Sequence, residues 1–173
     1  MKQGVHCVRN LFGKKKSDNQ GEIITSPMSG DLVDITNVPE PVFSQKMMGD
    51  GIAIVPTDGV VVSPVDGVVI NVFRTKHAIG LCSKCGVEIM IHIGLETVEL
   101  NGEGFEMYVE DGQDVKKGDK LLTFALEKIH SKSYNLISPA VITNMDEKVM
   151  KMEKLNLDNT VICGTPIMRV LLK

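Results

Sequence analysis

Tryptophan is absent from this chain and aromatics of all kinds make up only 4% of it. That removes the stacking platform on which single-stranded nucleic acids are bound. A surplus of basic charge is missing too, since 19 Lys and Arg against 22 Asp and Glu leave a net charge of −3. A nucleic-acid surface is therefore not expected. Cysteine is scarce: Cys7, Cys82, Cys85 and Cys163 are too few for a disulfide scaffold in 173 residues, and a reducing cytoplasm is the expected setting. No apolar run approaches the roughly 18 residues a membrane helix needs, and the N-terminus has no apolar signal core. The expectation is a cytoplasmic protein, neither spanning a membrane nor exported.

What is present is an ordinary globular balance, 43% hydrophobic and 24% charged, long enough for one domain of about 150 residues plus a tail. Residues 1–20, with "KKK" at Lys14 to Lys16 followed by "SDNQG", show no sustained periodicity and read as a flexible tail. Before Asp18 that tail holds Lys2, Arg9 and the three lysines with no acidic residue, so weak attraction to anionic lipid is a second reading of it. From Gly21 to Lys173 the chain runs in short β-type segments punctuated by Gly, Pro, Asp and Asn: "GDLVDI", "GIAIVP", "GVVVSP", "GVVINVF", "VEIMIHIG", "KLLTFAL" and "AVITNM". Two short helices are expected, over Leu126 to Lys132 and Asp146 to Leu155.

A fragmentary repeat runs through these segments. "SPMSGDLVDI" from Ser26 and "SPVDGVVINV" from Ser63 share Ser-Pro-x-x-Gly before alternating apolar residues, and "SPAVITNM" from Ser138 echoes the first half. Each Pro suits a strand edge or turn, and each Gly a tight bend. Gly118-Asp119 in "EDGQDVKKGDKLLTF" reads as the turn of a hairpin. The expected fold is all-β, an antiparallel sandwich or barrel-like domain.

One segment places an ionisable group within this pattern. In "GVEIMIHIGLETVEL", from Gly86 to Leu100, Ile89, Ile91 and Ile93 alternate onto one face while Met90, His92 and Gly94 point to the other. His92 thus faces away from the isoleucine core, with Gly94 leaving space beside it. His77, in "FRTKHAIG", is expected at the end of the strand that begins "GVVINVF", with "LCSKC" as the hairpin loop between the two strands. Neighbouring strands would bring both imidazoles to one side of a sheet. A single strand histidine is ordinarily a satisfied core or surface residue, whereas a pair beside a glycine admits chemistry.

Several chemistries use such a pair. A zinc hydrolase needs a third ligand, for which Glu96, Cys82 or Cys85 would serve, but no HxH or HExxH occurs. "CSKC" could chelate, yet a structural zinc site wants four ligands and no second pair is present. A hydrolytic triad lacks its Gly-x-Ser-x-Gly elbow. Covalent chemistry on the imidazole fits: a neutral ring is a competent nucleophile near pH 7, and phosphoryl transfer asks mainly for position and for donors to the phosphoryl oxygens. His77 and Thr75 would supply those donors, and apolar crowding would keep water from a labile phosphoramidate.

The same residues resemble a known family. "GVEIMIHIGLETVELNGEGF", with "TKHAIG", "SPVDG" and "PVFSQKMMGDGIAI", resembles the glucose-type IIA component of the bacterial phosphoenolpyruvate:sugar phosphotransferase system. Its signature, Gly-x-x-apolar-apolar-apolar-His-apolar-Gly-apolar-x-Thr-apolar, runs unbroken from Gly86 to Val98, and the resemblance extends from Glu22 to Lys173. It implies an antiparallel β-sandwich and a phosphotransferase component needing no cofactor or metal. The phosphorylated histidine would be His92, accepting from the phosphocarrier HPr and giving to a cysteine of a IIB domain. His77 would contact the phosphoryl group, with Thr75 in support. The attacking atom would be Nε2, with Nδ1–H held by the Gly94 carbonyl. The resemblance places an apolar partner-binding rim on Val42, Phe43, Phe73, Met90 and Val98, with Glu96 beside it. It also places the protein at the membrane only through a sugar permease.

A carrier of another kind is suggested by Met150-Lys151-Met152, the tripeptide around a biotinylated lysine. Such carriers present that lysine at a hairpin tip, whereas here the spacing reads as a solvated helix.

Overall fold

Glycines and prolines cut the chain into short extended runs, and every pairing between those runs is antiparallel. The computed structural model describes residues 21–132 and 134–173. The N-terminal tail, its lysine run and the lipid-attraction reading of it lie outside the described residues. Among the described residues fourteen strands run in chain order as β1 (Glu22–Thr25), β2 (Gly30–Asp34), β3 (Asp50–Pro56), β4 (Val60–Val62), β5 (Gly67–Val72), β6 (Ala78–Ser83) and β7 (Glu88–His92), followed by β8 (Phe105–Met107), β9 (Asp114–Val115), β10 (Lys120–Phe124), β11 (Ser138–Ile142), β12 (Val149–Lys154), β13 (Thr160–Val161) and β14 (Pro166–Leu172). Among the described residues three short α-helices, α1 (Pro41–Ser44), α2 (Leu126–Ser131) and α3 (Met145–Lys148), form no layer of their own. None of the described helices is long and apolar enough to cross a membrane.

An eight-stranded sheet, in the order β13-β2-β3-β11-β7-β6-β5-β9, is faced by two three-stranded sheets, β1-β14-β12 and β4-β10-β8. The result is an antiparallel β-sandwich. Period-2 alternation sorts the large sheet's side chains cleanly. Ile52, Ile54, Ile79, Leu81, Ile89, Ile91 and Ile93 enter the main core, where Ile24, Leu122, Phe124, Met168 and Val170 of the small sheets meet them. Residues one position out of phase, Ala53, Met90 and Val141, turn to the opposite face and build a second, smaller cluster with Ile35, Val38, Phe43, Leu95 and Ile137. The Lys154 ammonium, at the end of β12, lies 2.9 Å from the Asp34 carboxylate and 3.1 Å from that of Asp50.

The Ser-Pro-x-x-Gly repeat is a real duplication of structure. Ser26 and Ser63 are both buried, and each hydroxyl donates to the carbonyl two residues on, Met28 at 2.6 Å and Val65 at 2.7 Å. Their own carbonyls accept from matching glycine amides, Gly164 at 2.9 Å and Gly118 at 2.8 Å. The strand order follows the same duplication: β13, β2, β3 and β11 in one half stand where β9, β5, β6 and β7 stand in the other, and β1-β14-β12 corresponds to β4-β10-β8.

Four sequence expectations are corrected by these pairings. Gly118-Asp119 does not close a hairpin, because β9 joins β5 in the large sheet while β10 joins β4 and β8, so the turn carries the chain between layers. "LCSKC" is not simply a loop: Leu81, Cys82 and Ser83 end β6, a whole strand that intervenes between β5 and β7. The helix expected over Asp146 to Leu155 stops at Lys148, and Met150-Lys151-Met152 lies in β12, paired along β14. Hydrogen bonding to β14 overrides the helical charge spacing, and a lysine in mid-strand is not at the hairpin tip a biotinylated residue occupies. Lastly, His77 does not end β5; it sits in the turn just before β6.

Candidate functional site

His92 is the last residue of β7, and the β6–β7 register sets Ala78 opposite it. His77 immediately precedes Ala78, and its carbonyl accepts the Ile93 amide at 2.7 Å, which ties the two histidine-bearing strand ends together. The ring centroids are 4.8 Å apart and nearly perpendicular, at 79°. Phe43, carried by α1, lies edge-on to His92 at 5.3 Å, and Phe73 lies edge-on to His77 at 5.6 Å. Four rings thus stand in a row on the face of the second cluster. In the duplicated half, the corresponding end of the β3–β11 pair carries Asp50 opposite Ile142, so the histidines belong to one half only.

Each imidazole has one nitrogen committed. Nδ1 of His92 lies 2.7 Å from the Gly94 carbonyl oxygen. A carbonyl can only accept, so Nδ1 carries the proton and the neutral ring keeps its lone pair on Nε2. Nδ1 of His77 lies 2.6 Å from the Thr75 hydroxyl. Burial, and secondarily the neighbouring His77 ring, depress the His92 pKa to about 4, against the opposing pull of the Gly94 carbonyl. Burial lowers that of His77 as well. At neutral pH the pair is uncharged, and His92 presents an unprotonated nitrogen in an apolar wall.

Gly94 is required by backbone rather than by open space. Its φ is +65°, and a Cβ there would stand 2.9 Å from both the Asn135 carbonyl oxygen and the Thr97 methyl. The expectation that Gly94 leaves room for an approaching group is therefore corrected: this spot is filled by the chain itself. Thr97 is fully buried, while Glu96, exposed and left-handed at φ 60°, precedes the short 3-10 turn from Thr97 to Leu100.

The other expected residues fall around the same face but differ in access. Phe43 and Met90 are buried in the second cluster, Val42 and Phe73 are half-buried against it, and Val98 is exposed. Cys82 lies buried in β6 and Cys85 is exposed in the turn beyond it. Among the described residues no three His, Cys, Asp or Glu side chains are grouped as metal ligands. Sequence reasoning passed over Ser138, whose hydroxyl accepts the Gly94 amide at 3.0 Å. Its place as the third Ser-Pro of the repeat was the available signal.

Comparison with known proteins gives a consistent picture. The sequence model of the family described as phosphoenolpyruvate-dependent sugar phosphotransferase system, EIIA 1, matches residues 22–148. The glucose-specific EIIA component of the PTS system from Bacillus cereus is 55% identical over 138 residues, covering 80% of this chain and 83% of that protein. Its counterpart from Staphylococcus epidermidis is 51% identical over 139 residues, covering 80% and 84%. Among solved structures, glucose permease IIA from Mycoplasma capricolum superposes with a TM-score of 0.76 at 35% identity, over 89% of this chain and 96% of that one.

Proposed function

Starting from the fact that the chain belongs to the EIIA 1 family of the phosphoenolpyruvate-dependent sugar phosphotransferase system, we propose that it is a cytoplasmic phosphohistidine carrier, loaded on His92 by phospho-HPr and discharged to a cysteine of a IIB domain. The observation that supports this reading most is the pair of neutral imidazoles at 4.8 Å, one of them with Nδ1 bound to a main-chain carbonyl.

In the loading step the Nε2 lone pair of His92 attacks phosphorus, the N–P bond forms, and the bond joining the phosphoryl group to its donor breaks. The proton on Nδ1 stays in place throughout. Positive charge spreads over the ring as the bond forms, so the hydrogen bond to the Gly94 carbonyl strengthens on the way to the transition state. His77 completes the site when the Thr75 hydroxyl donates to its Nδ1. The His77 proton then sits on Nε2, where it meets a phosphoryl oxygen. Discharge reverses the events: a thiolate sulfur attacks phosphorus and His92 departs as a neutral imidazole.

Both partners would dock on the face that carries the four rings. Half-buried Val42 and Phe73 and exposed Val98 supply apolar contact, buried Phe43 and Met90 shape the surface beneath them, and Glu96 offers a carboxylate at the edge to a partner cation. Once a partner has closed over this wall, little water reaches the N–P bond.

Incubation with phosphoenolpyruvate, enzyme I and HPr tests the reading. One acid-labile, base-stable phosphoryl group is expected on the protein. His92→Ala should take up none, and His77→Gln should load yet fail to pass the group on. Normal labelling of His92→Ala would overturn the assignment.

A further inference from the structure

The repeat holds a departure that bears on this site. Ser26 and Ser63 turn their hydroxyls forward along their own chain, whereas Ser138 donates backward to the Leu136 carbonyl at 2.7 Å and accepts from a different segment, the Gly94 amide at 3.0 Å. Because its only proton is spent on Leu136, the Ser138 oxygen can meet Gly94 solely as an acceptor. Ser138 is fully buried, so water cannot take its place.

The Gly94 carbonyl that holds His92 belongs to the Gly94–Leu95 peptide. The amide of that same peptide, on Leu95, donates to the Asn135 carbonyl at 2.8 Å. The preceding peptide presents the Gly94 amide to Ser138. Both peptide planes flanking the Gly94 α-carbon are thus tied to one segment, 135–138, itself braced by the Ile137 amide on the Asn135 side-chain oxygen at 2.9 Å. A glycine at φ +65° has no side chain to hold its torsions, so these ties decide where its carbonyl aims.

We propose that Ser138 is a positioning residue for His92, fixing through the Gly94–Leu95 peptide which ring nitrogen keeps the proton. Without its hydroxyl, the buried Gly94 amide would lose its acceptor and the turn would rotate to find another. The Gly94 carbonyl would swing with it, and His92 would be free to carry its proton on either nitrogen. In the other tautomer Nε2 is protonated and cannot attack.

The structural part of this proposal stands apart from the carrier reading, and only its kinetic part rests on it. Nitrogen-15 NMR of the histidines in the full, unphosphorylated chain reads the tautomer directly. The Nδ1–H form of His92 should dominate in the native protein, and Ser138→Ala should lower its ratio to the other form by roughly ten-fold, as expected for one lost hydrogen bond. Ser138→Thr, which keeps the hydroxyl, should restore the native ratio. Ser138→Cys nearly conserves volume while supplying a poor acceptor, so it makes the same comparison should the alanine variant not fold. Ser83→Ala is a control for general loosening, because that buried serine serves the Cys85 and Val87 amides and touches neither histidine. It should leave the His92 signals as they are. An unchanged tautomer ratio in folded Ser138→Ala or Ser138→Cys, or an equal change in Ser83→Ala, would overturn the proposal. Phosphoryl uptake should slow by roughly ten-fold in Ser138→Ala and recover in Ser138→Thr. If the native chain took up no phosphoryl group, the carrier reading would fail while the tautomer ratios still decided the role of Ser138.

Discussion

Unfolding by urea, measured for the native protein and for His92→Gln from about pH 7.5 to about pH 4.5, should give two profiles that diverge as the solution is acidified. In the folded state burial and the His77 ring hold the His92 pKa at about 4. In the unfolded chain it returns to about 6.5. Below that value the unfolded state binds a proton that the folded state refuses, so acid favours unfolding. Stability contributed by the neutral ring is present above pH 6.5 or so and is lost progressively down to about pH 4. At roughly 1.4 kcal/mol for each pH unit of separation, the native protein should lose about 2.5 kcal/mol over the measured range through His92 alone. The glutamine variant lacks this proton uptake and should keep that amount, while losses through carboxylates remain common to both and cancel in the difference. Parallel profiles would refute the claim that the site holds His92 uncharged.

Further outcomes follow from the same geometry. Phe43→Ala removes a ring that is 3% exposed and stands edge-on to His92, and should cost about 3–4 kcal/mol in denaturant titration while moving the His92 pKa back toward its ordinary value as water enters. Gly94→Ala forces a side chain into left-handed backbone against the Asn135 carbonyl and should destabilise by about 2 kcal/mol or more, with slower phosphoryl uptake in a stopped-flow assay. Lys154→Met removes the ammonium that bridges Asp34 and Asp50, leaving Asp50 paired with Lys46 and Asp34 bonded to Thr36, and should lower stability near neutral pH by about 1 kcal/mol, read from the midpoint of urea unfolding.

The face that His92 occupies was legible in the sequence because β-structure repeats every two residues. The alternation of Ile89, Ile91 and Ile93 with Met90 and His92 is the same alternation that separates the main core from the second cluster. The duplication was legible for a similar reason, since a buried Ser-Pro bend and a following Gly answer a local backbone demand. What escaped was whatever depends on partners distant in the chain. "LCSKC" reads as a hairpin loop, yet Leu81 to Ser83 end a fully buried strand between β5 and β7. "VMKMEK" reads as helix until β14 pairs with it. Gly118 looks like a hairpin turn because a turn crossing between layers needs the same positive φ as one within a sheet. For the candidate site, the two histidines were visible as residues, but their convergence came about through β6, a strand the sequence pattern concealed. Ser138 reaches Gly94 across 44 positions of sequence, a contact that no local pattern announces.

Nitrogen-15 and phosphorus-31 NMR of the protein loaded by phospho-HPr would test the phosphocarrier reading most directly. The expected spectrum has the phosphoryl group on Nε2 of His92, a proton retained on Nδ1 of the same ring, and an unphosphorylated His77. A phosphoryl group on Nδ1 of His92, or on any other residue, would contradict it.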